Sequence, residues 1–151
     1  MSEQRALDAL RVLGLEQIVT RHGPVDSLAE AAEARGIQPG DIVKTLVVRR
    51  GRDDYLFVLV PGDAEIAWPK LRALLGVSRL SMPDAATARK VTGYERGTIT
   101  PFGASRAWPV IADASVTGRR VSIGGGAHGV AIAVDADAML AALDATVADI
   151  T

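Results

Sequence analysis

The sequence predicts a mixed α+β domain of the broad α/β class, a sheet containing hairpins with helices packed on it, and three observations carry that reading. Two β-rich runs, Ile42 to Arg50 and Tyr55 to Val60, are separated only by the turn-forming cluster Gly51-Arg52-Asp53-Asp54, so they pair as a hairpin. Three further short runs, Trp108 to Ala112, Arg119 to Ile123 and Val130 to Val134, follow one another with no helix between them. Segments with helical apolar spacing fall irregularly among these strands, whereas a Rossmann sheet requires strict alternation of strand and helix. The count comes to six or seven strands and five helices.

Taken in order, Glu3 to Leu13 places Ala6, Leu7, Leu10 and Leu13 at helical spacing, and Gly14 closes it. Glu16 to His22 reads as a short strand. Ser27-Leu28-Ala29-Glu30 is a capping box for a second helix that runs to Arg35 and stops at Gly36. Pro39-Gly40-Asp41 then turns the chain into the hairpin, both strands of which are apolar enough to be central. Ala67 to Leu75 forms a third helix ended by Gly76, Ser78 to Met82 a short strand, and Pro83 opens a fourth helix that Gly93 terminates. Asp135 caps a last helix carrying Met139, Leu140 and Leu143.

At 151 residues, 48% hydrophobic and 23% charged, the chain is expected to form one domain over residues 1–151 around a single core. A formal net charge of -1 lacks the basic excess needed to grip long nucleic acid, so DNA is not an expected partner and any nucleic-acid contact is local. There are no cysteines and only two histidines, which argues against disulfides, thiolate chemistry and a protein-only zinc site; neither a metal nor a cofactor is expected. The opening Met1-Ser2-Glu3-Gln4-Arg5 has mixed charge with no apolar run behind it, and no stretch is long and apolar enough for a membrane span, so a cytoplasmic location is expected.

One residue breaks the pattern of the first hairpin strand. Alternation puts Ile42, Lys44, Leu46 and Val48 on one face, so a lysine shares an apolar side. Its ammonium must either snorkel to water or meet an anion in a cleft. The glycine-bounded loop Gly97 to Gly103 is either an ordinary connection or a set of backbone N–H groups aimed at one point, which can hold a developing oxyanion. Gly124-Gly125-Gly126-Ala127-His128-Gly129 matches G-x-G-x-x-G, but a strand follows where a dinucleotide site needs a helix. It reads instead as a tight hairpin, or as a place where a ligand or second backbone approaches closely. His22 and His128 have no serine in a recognisable arrangement, and Glu95 and Asp113 form no carboxylate pair.

Ile42-Val43-Lys44-Thr45-Leu46-Val47-Val48, Val58-Leu59-Val60-Pro61-Gly62-Asp63, Thr92-Gly93-Tyr94-x-x-Gly97 leading to Thr100-Pro101-Phe102-Gly103, and Gly124-Gly125-Gly126-x-x-Gly129 together resemble the YbaK and prolyl-tRNA synthetase-associated editing-domain family. The resemblance runs from about Asp26 to the Asp149-Ile150 end. It implies a barrel-like mixed sheet and a free-standing deacylase that hydrolyses the ester linking a wrong amino acid to the 3′ end of tRNA. The acceptor end of mischarged tRNA is then the partner, with an aminoacyl-tRNA synthetase as a second one. Carried over residue by residue, Lys44 and Gly97 would be the catalytic positions. Substrate binding would fall to Ser27, Thr45, Thr98, Thr100, Pro101, Gly125, Gly126, His128 and Ala131. An aminoacyl ester is already activated, and the terminal ribose brings its own hydroxyl. Position, an oxyanion site and water therefore suffice. Lys44 would face the terminal phosphate or sugar, and the Gly97 loop the ester carbonyl.

The chain departs from the Cys-tRNA(Pro) deacylase branch in having Ala131 where that branch has an acidic residue, and Ala104-Ser105-Arg106-Ala107-Trp108 lacks its lysine pair. Ser27, Leu28, Thr45 and Ala131 are small or apolar, which suits a small amino acid such as alanine, cysteine or serine on a tRNA(Pro)-type carrier. The rival reading is a non-catalytic acceptor-end binding module or synthetase adaptor.

Overall fold

In the computed structural model, which describes residues 2–151, the first helix α1 (Ser2–Val12) buries Ala6, Leu7 and Leu10 along one face. Strand β1 (Ile18–Arg21) follows, shorter than the expected Glu16 to His22 because it pairs with β6 over only those four residues. Helix α2 (Leu28–Arg35) starts where the Ser27 hydroxyl accepts the Glu30 N–H, and stops at Gly36, whose φ of +70° supplies the left-handed cap. After a 3-10 turn at Pro39–Asp41 come β2 (Val43–Gly51) and β3 (Asp54–Pro61), the expected hairpin. Helices α3 (Trp68–Leu75) and α4 (Ala85–Thr92) end at Gly76 and Gly93. The remaining elements are β4 (Val110–Asp113), β5 (Arg120–Gly124), β6 (Val130–Asp135), α5 (Ala136–Ala142) and β7 (Thr146–Ala148).

The strands form two sheets, in the orders β1-β6-β5 and β2-β3-β4-β7. They meet through one parallel bridge between Ile42 and Ser122, so the mixed α+β architecture holds without a closed barrel. β3 lies inside its sheet and is buried on both faces: Phe57 and Leu59 enter the core between the sheets, while Leu56, Val58 and Val60 enter a second cluster with Leu71, Ile111 and Ile150. That is why its sequence is a continuous apolar run.

Three expectations change, and one strand is added. β2 is an edge strand of its sheet rather than a central one, because the neighbour on its outer side touches it only at its ends. Ser78 to Met82 forms no strand; Ser81 alone exchanges N–H and C=O with Arg49, and Pro83 has no N–H to continue the ladder. The cap of α4 is Asp84, which accepts the Thr87 N–H, so Pro83 lies before the helix and not inside its first turn. β7 has no apolar run to announce it; it is held as a parallel edge strand by β4 and by the burial of Ile150 just beyond it.

That C-terminal anchor rests on Asp113, which is 2% exposed. Burial alone would raise its carboxyl pKa, but hydrogen bonds from the Ser115 hydroxyl and N–H and from the Ile150 N–H outweigh it and hold it below the ordinary value. A depressed folded pKa contributes stability above the unfolded value of about 3.9, and this is lost as pH falls through that value toward the folded one. Asp113→Asn should therefore unfold about 1–3 kcal/mol more easily at pH 7 in urea. The gap to wild type should narrow as the pH drops below about 4. A gap independent of pH would mean that the charge plays no part.

Candidate functional site

The loop from Gly93 to Gly103 is closed on itself by Tyr94. This side chain is buried, and its hydroxyl donates to the Phe102 carbonyl at 2.6 Å. Burial pushes the phenol pKa above its ordinary value, which keeps it protonated as that donor. The Arg5 guanidinium of α1 sits 4.7 Å from the ring centroid and donates to the Gly93 carbonyl at 2.7 Å. Within the loop the Thr98 hydroxyl donates to the Glu95 carbonyl at 2.7 Å. The loop is thus fixed by its own side chains and by α1.

The glycine hairpin after β5 leans on this loop. The Gly126 N–H donates to the Thr98 carbonyl at 3.1 Å, and a Cβ at Gly124 would lie 3.1 Å from the Ile99 carbonyl. The glycines therefore serve the close approach of a second backbone.

Between β2 and this loop–hairpin unit lies a cavity of about 340 Å³, bordered by Lys44, Thr45 and Val47 on one side and by Gly97, Ile99 and Gly124 on the other. Its strand wall is main chain as well as side chain. The Ile42 carbonyl accepts from Gly62 on the β3 side, whereas the Arg49 N–H and carbonyl both turn outward to Ser81. Alternation then places the N–H and C=O of Thr45 and Val47 on the outer edge, facing the cavity. Across from them, the N–H groups of Gly97 and Ile99 have no hydrogen-bond partner among the described residues.

The Lys44 side chain is 29% exposed, and its Nζ stands 3.6 Å from the Glu65 carboxylate, itself 90% exposed. So exposed a partner holds it only weakly. Lys44 is therefore neither in bulk water nor in the dry core. On the opposite face of the strand the Thr45 Oγ1 is buried with no hydrogen-bond partner.

Of the residues singled out from sequence, Lys44, Thr45 and Gly97 border the cavity. Thr98 and Thr100 are buried in the loop's own packing, the latter with its hydroxyl 3.4 Å from the Phe102 N–H. Pro101 borders a different hollow beside Trp108 and Pro109. His128 does not border the cavity; it is exposed beside a separate hollow with Glu95 and Thr98, its Nε2 3.2 Å from the Glu95 carboxylate. Gly125 and Gly126 shape the hairpin turn, and Ala131 is buried opposite Gly124 and Thr20. Ser27 spends its hydroxyl on the α2 cap. Sequence reasoning missed Arg35, Arg96, Ile99 and Gly124 on the cavity wall. Ile99 and Gly124 had a signal, since they lie within the loop and the glycine hairpin picked out from the sequence; Arg35 comes from a segment that meets the cavity only in the fold, and Arg96 adjoins the loop without any pattern to mark it. Among the described residues no group of three or more His, Cys, Asp or Glu side chains could hold a metal ion, and no helix is long and apolar enough to cross a membrane.

Fold and cavity together define a small α+β domain in which a sheet edge and a fixed glycine loop face one cavity. The chain belongs to the aminoacyl-tRNA editing domain family, which matches residues 22–142. Proline–tRNA ligase of Bacillus licheniformis is 30% identical over 118 residues, 77% of this chain and 20% of the ligase. The chain thus spans only about a fifth of the proline–tRNA ligases that it matches. The candidate Cys-tRNA(Pro)/Cys-tRNA(Cys) deacylase EbsC of Enterococcus faecalis is 28% identical over 126 residues, 83% of this chain and 77% of EbsC. A crystal structure described as that of a candidate trans-editing enzyme for prolyl-tRNA synthetase superimposes with a TM-score of 0.89 at 28% identity, covering 99% of this chain and 96% of the other.

The orphan hydroxyl gives a prediction about stability. Thr45→Val removes a buried group that has no partner, so the urea midpoint should stay level or rise, by up to about 1 kcal/mol in unfolding free energy. A clear fall would mean that the hydroxyl is satisfied in the folded protein.

Proposed function

We propose that the protein is a trans-acting deacylase that hydrolyses the ester of mischarged aminoacyl-tRNA in the cytoplasm. Its substrate is a tRNA(Pro)-type carrier bearing a small amino acid such as alanine, cysteine or serine. One observation carries the reading. In a chain of the editing-domain family, Gly97 and Ile99, whose N–H groups have no partner among the described residues, border one cavity with Lys44 and Thr45.

Ester hydrolysis needs a site that favours the tetrahedral oxyanion over the planar carbonyl. Amides fixed before the substrate arrives provide it without reorganisation. The closed Gly97 loop offers such amides. Lys44 would meet the terminal phosphate or sugar, exchanging its exposed Glu65 partner for the substrate's charge. The neighbouring ribose hydroxyl and water supply the remaining groups, so no side-chain nucleophile is required. The outer-edge carbonyls of β2 can accept from the substrate's ammonium, and a synthetase partner could deliver the acceptor end.

Alanyl-, cysteinyl- and seryl-tRNA(Pro) offered to the purified protein should be hydrolysed, and Lys44→Ala should lose at least about 100-fold in rate while melting as wild type does. Hydrolysis of none of them would end the enzymatic reading, and binding without turnover would then favour the adaptor alternative.

Gly97 has a φ of +91°, where a side chain is strained, although a Cβ would find room, 3.8 Å from the His128 ring. Gly97→Ala should therefore lower hydrolysis by about 100-fold through a displaced amide and cost stability only about 1–2 kcal/mol. Full activity in this variant would remove the loop from the mechanism.

A further inference from the structure

We propose that Arg35 is the anion-holding residue of the cavity, taking a phosphate oxygen of the 3′-terminal nucleotide while the ester lies at the Gly97 loop. The identity of that anion rests on the deacylase reading above; the existence of the anion subsite does not.

Arg35 closes the last turn of α2, is half-buried and borders the cavity. Every hydrogen bond it makes goes to a neutral acceptor: Nη1 to the Ser122 hydroxyl at 3.1 Å and Nε to His22 Nε2 at 3.5 Å. No carboxylate among the described residues pairs with it, and Nη2 has no partner there. A guanidinium taken partly out of water without a counter-ion is costly, and its pKa is lowered by that burial. An incoming anion repays this cost directly.

The surroundings agree. The cavity wall carries Arg35, Lys44 and Arg96 and no aspartate or glutamate, in a chain whose net charge is -1. Arg96 is partly committed, donating to the Pro83 carbonyl at 3.0 Å, and Lys44 reaches Glu65. Neither arginine has a carboxylate partner, but Arg96 is exposed, so Arg35 is the one held partly out of water with neutral partners only.

Its orientation is also built. One imidazole tautomer satisfies both contacts of His22: Nδ1–H donates to the Gly23 carbonyl at 2.9 Å, leaving Nε2 to accept from Arg35. His22 is held in turn by its N–H bond to the Gly129 carbonyl at 2.9 Å, and a Cβ at Gly129 would overlap the His22 carbonyl. The last hairpin glycine thus lets β1 close in, His22 aims the guanidinium, and Ser122 fixes its second edge. His22 is a positioning residue in this arrangement.

The test compares alanine esterified to the 3′ end of adenosine with the same ester on 5′-AMP, in wild type, R35A and R35K. Wild type should prefer the AMP ester by about 10- to 100-fold in kcat/KM, chiefly through KM, as expected for a charge-assisted phosphate contact. In R35A the preference should fall to within about threefold, and R35K should recover part of it, since lysine keeps the charge but not the fork. An arginine that only ties α2 to β5 would slow both esters alike and leave the ratio intact, which would overturn the proposal. If wild type hydrolyses neither ester, the deacylase reading fails separately. Amide NMR titration with 5′-AMP and with adenosine then decides: tighter AMP binding that disappears in R35A supports the subsite, and equal binding of the two refutes it.

Discussion

The structure turns on an interruption in hydrogen bonding along the outer edge of β2. That edge is clamped at one end where Ile42 bridges Ser122 and at the other where Arg49 exchanges bonds with Ser81. Between the clamps β5 does not continue the ladder, and a loop and a hairpin stand where another strand would be. Backbone groups shut away from water must find partners, so a gap of this kind persists only when it is open to solvent or filled by a ligand. The cavity is that gap. Its position follows from the divergence of two sheets that touch at a single bridge.

The far wall is stiff for reasons that lie elsewhere in the chain. Tyr94 ties the two ends of the loop together, and Arg5, far earlier in the sequence, lies over its ring from α1 at 4.7 Å. The hairpin is joined to the loop by the bond from Gly126 to Thr98, so the two move as one unit. A wall held in this way keeps its amide groups in place before a ligand arrives, and that is what gives such groups their effect on a reacting carbonyl.

Much of this was legible in the residues, and what was not has a common cause. The caps of α2 and α5, the glycine stops of α2, α3 and α4 and the turn between β2 and β3 are local, and each appears where its residues place it. Lys44 stood out because one polar residue broke an alternating apolar pattern. The edge position of β2 could not be read, because Val43 and Val47 are buried in the core between the sheets and Val48 in the second cluster, so both faces are apolar without a second flanking strand. Arg35 looked like an ordinary basic residue at a helix end; its meaning depends on His22, Ser122 and the cavity meeting around it. Thr98, Thr100 and Pro101 lie in a recognisable motif, yet their side chains build the loop and do not border the cavity.

An unpaired strand edge is ordinarily an invitation to another polypeptide, which can add itself to the sheet and begin an aggregate. Here the opening spans only the few residues between two bridged positions, and the loop and hairpin overhang it. A strand from a second molecule would need a longer, straighter and unobstructed run to align. The same walls that enclose the cavity thus act as a guard, keeping main-chain groups of the edge available while denying them to neighbouring chains.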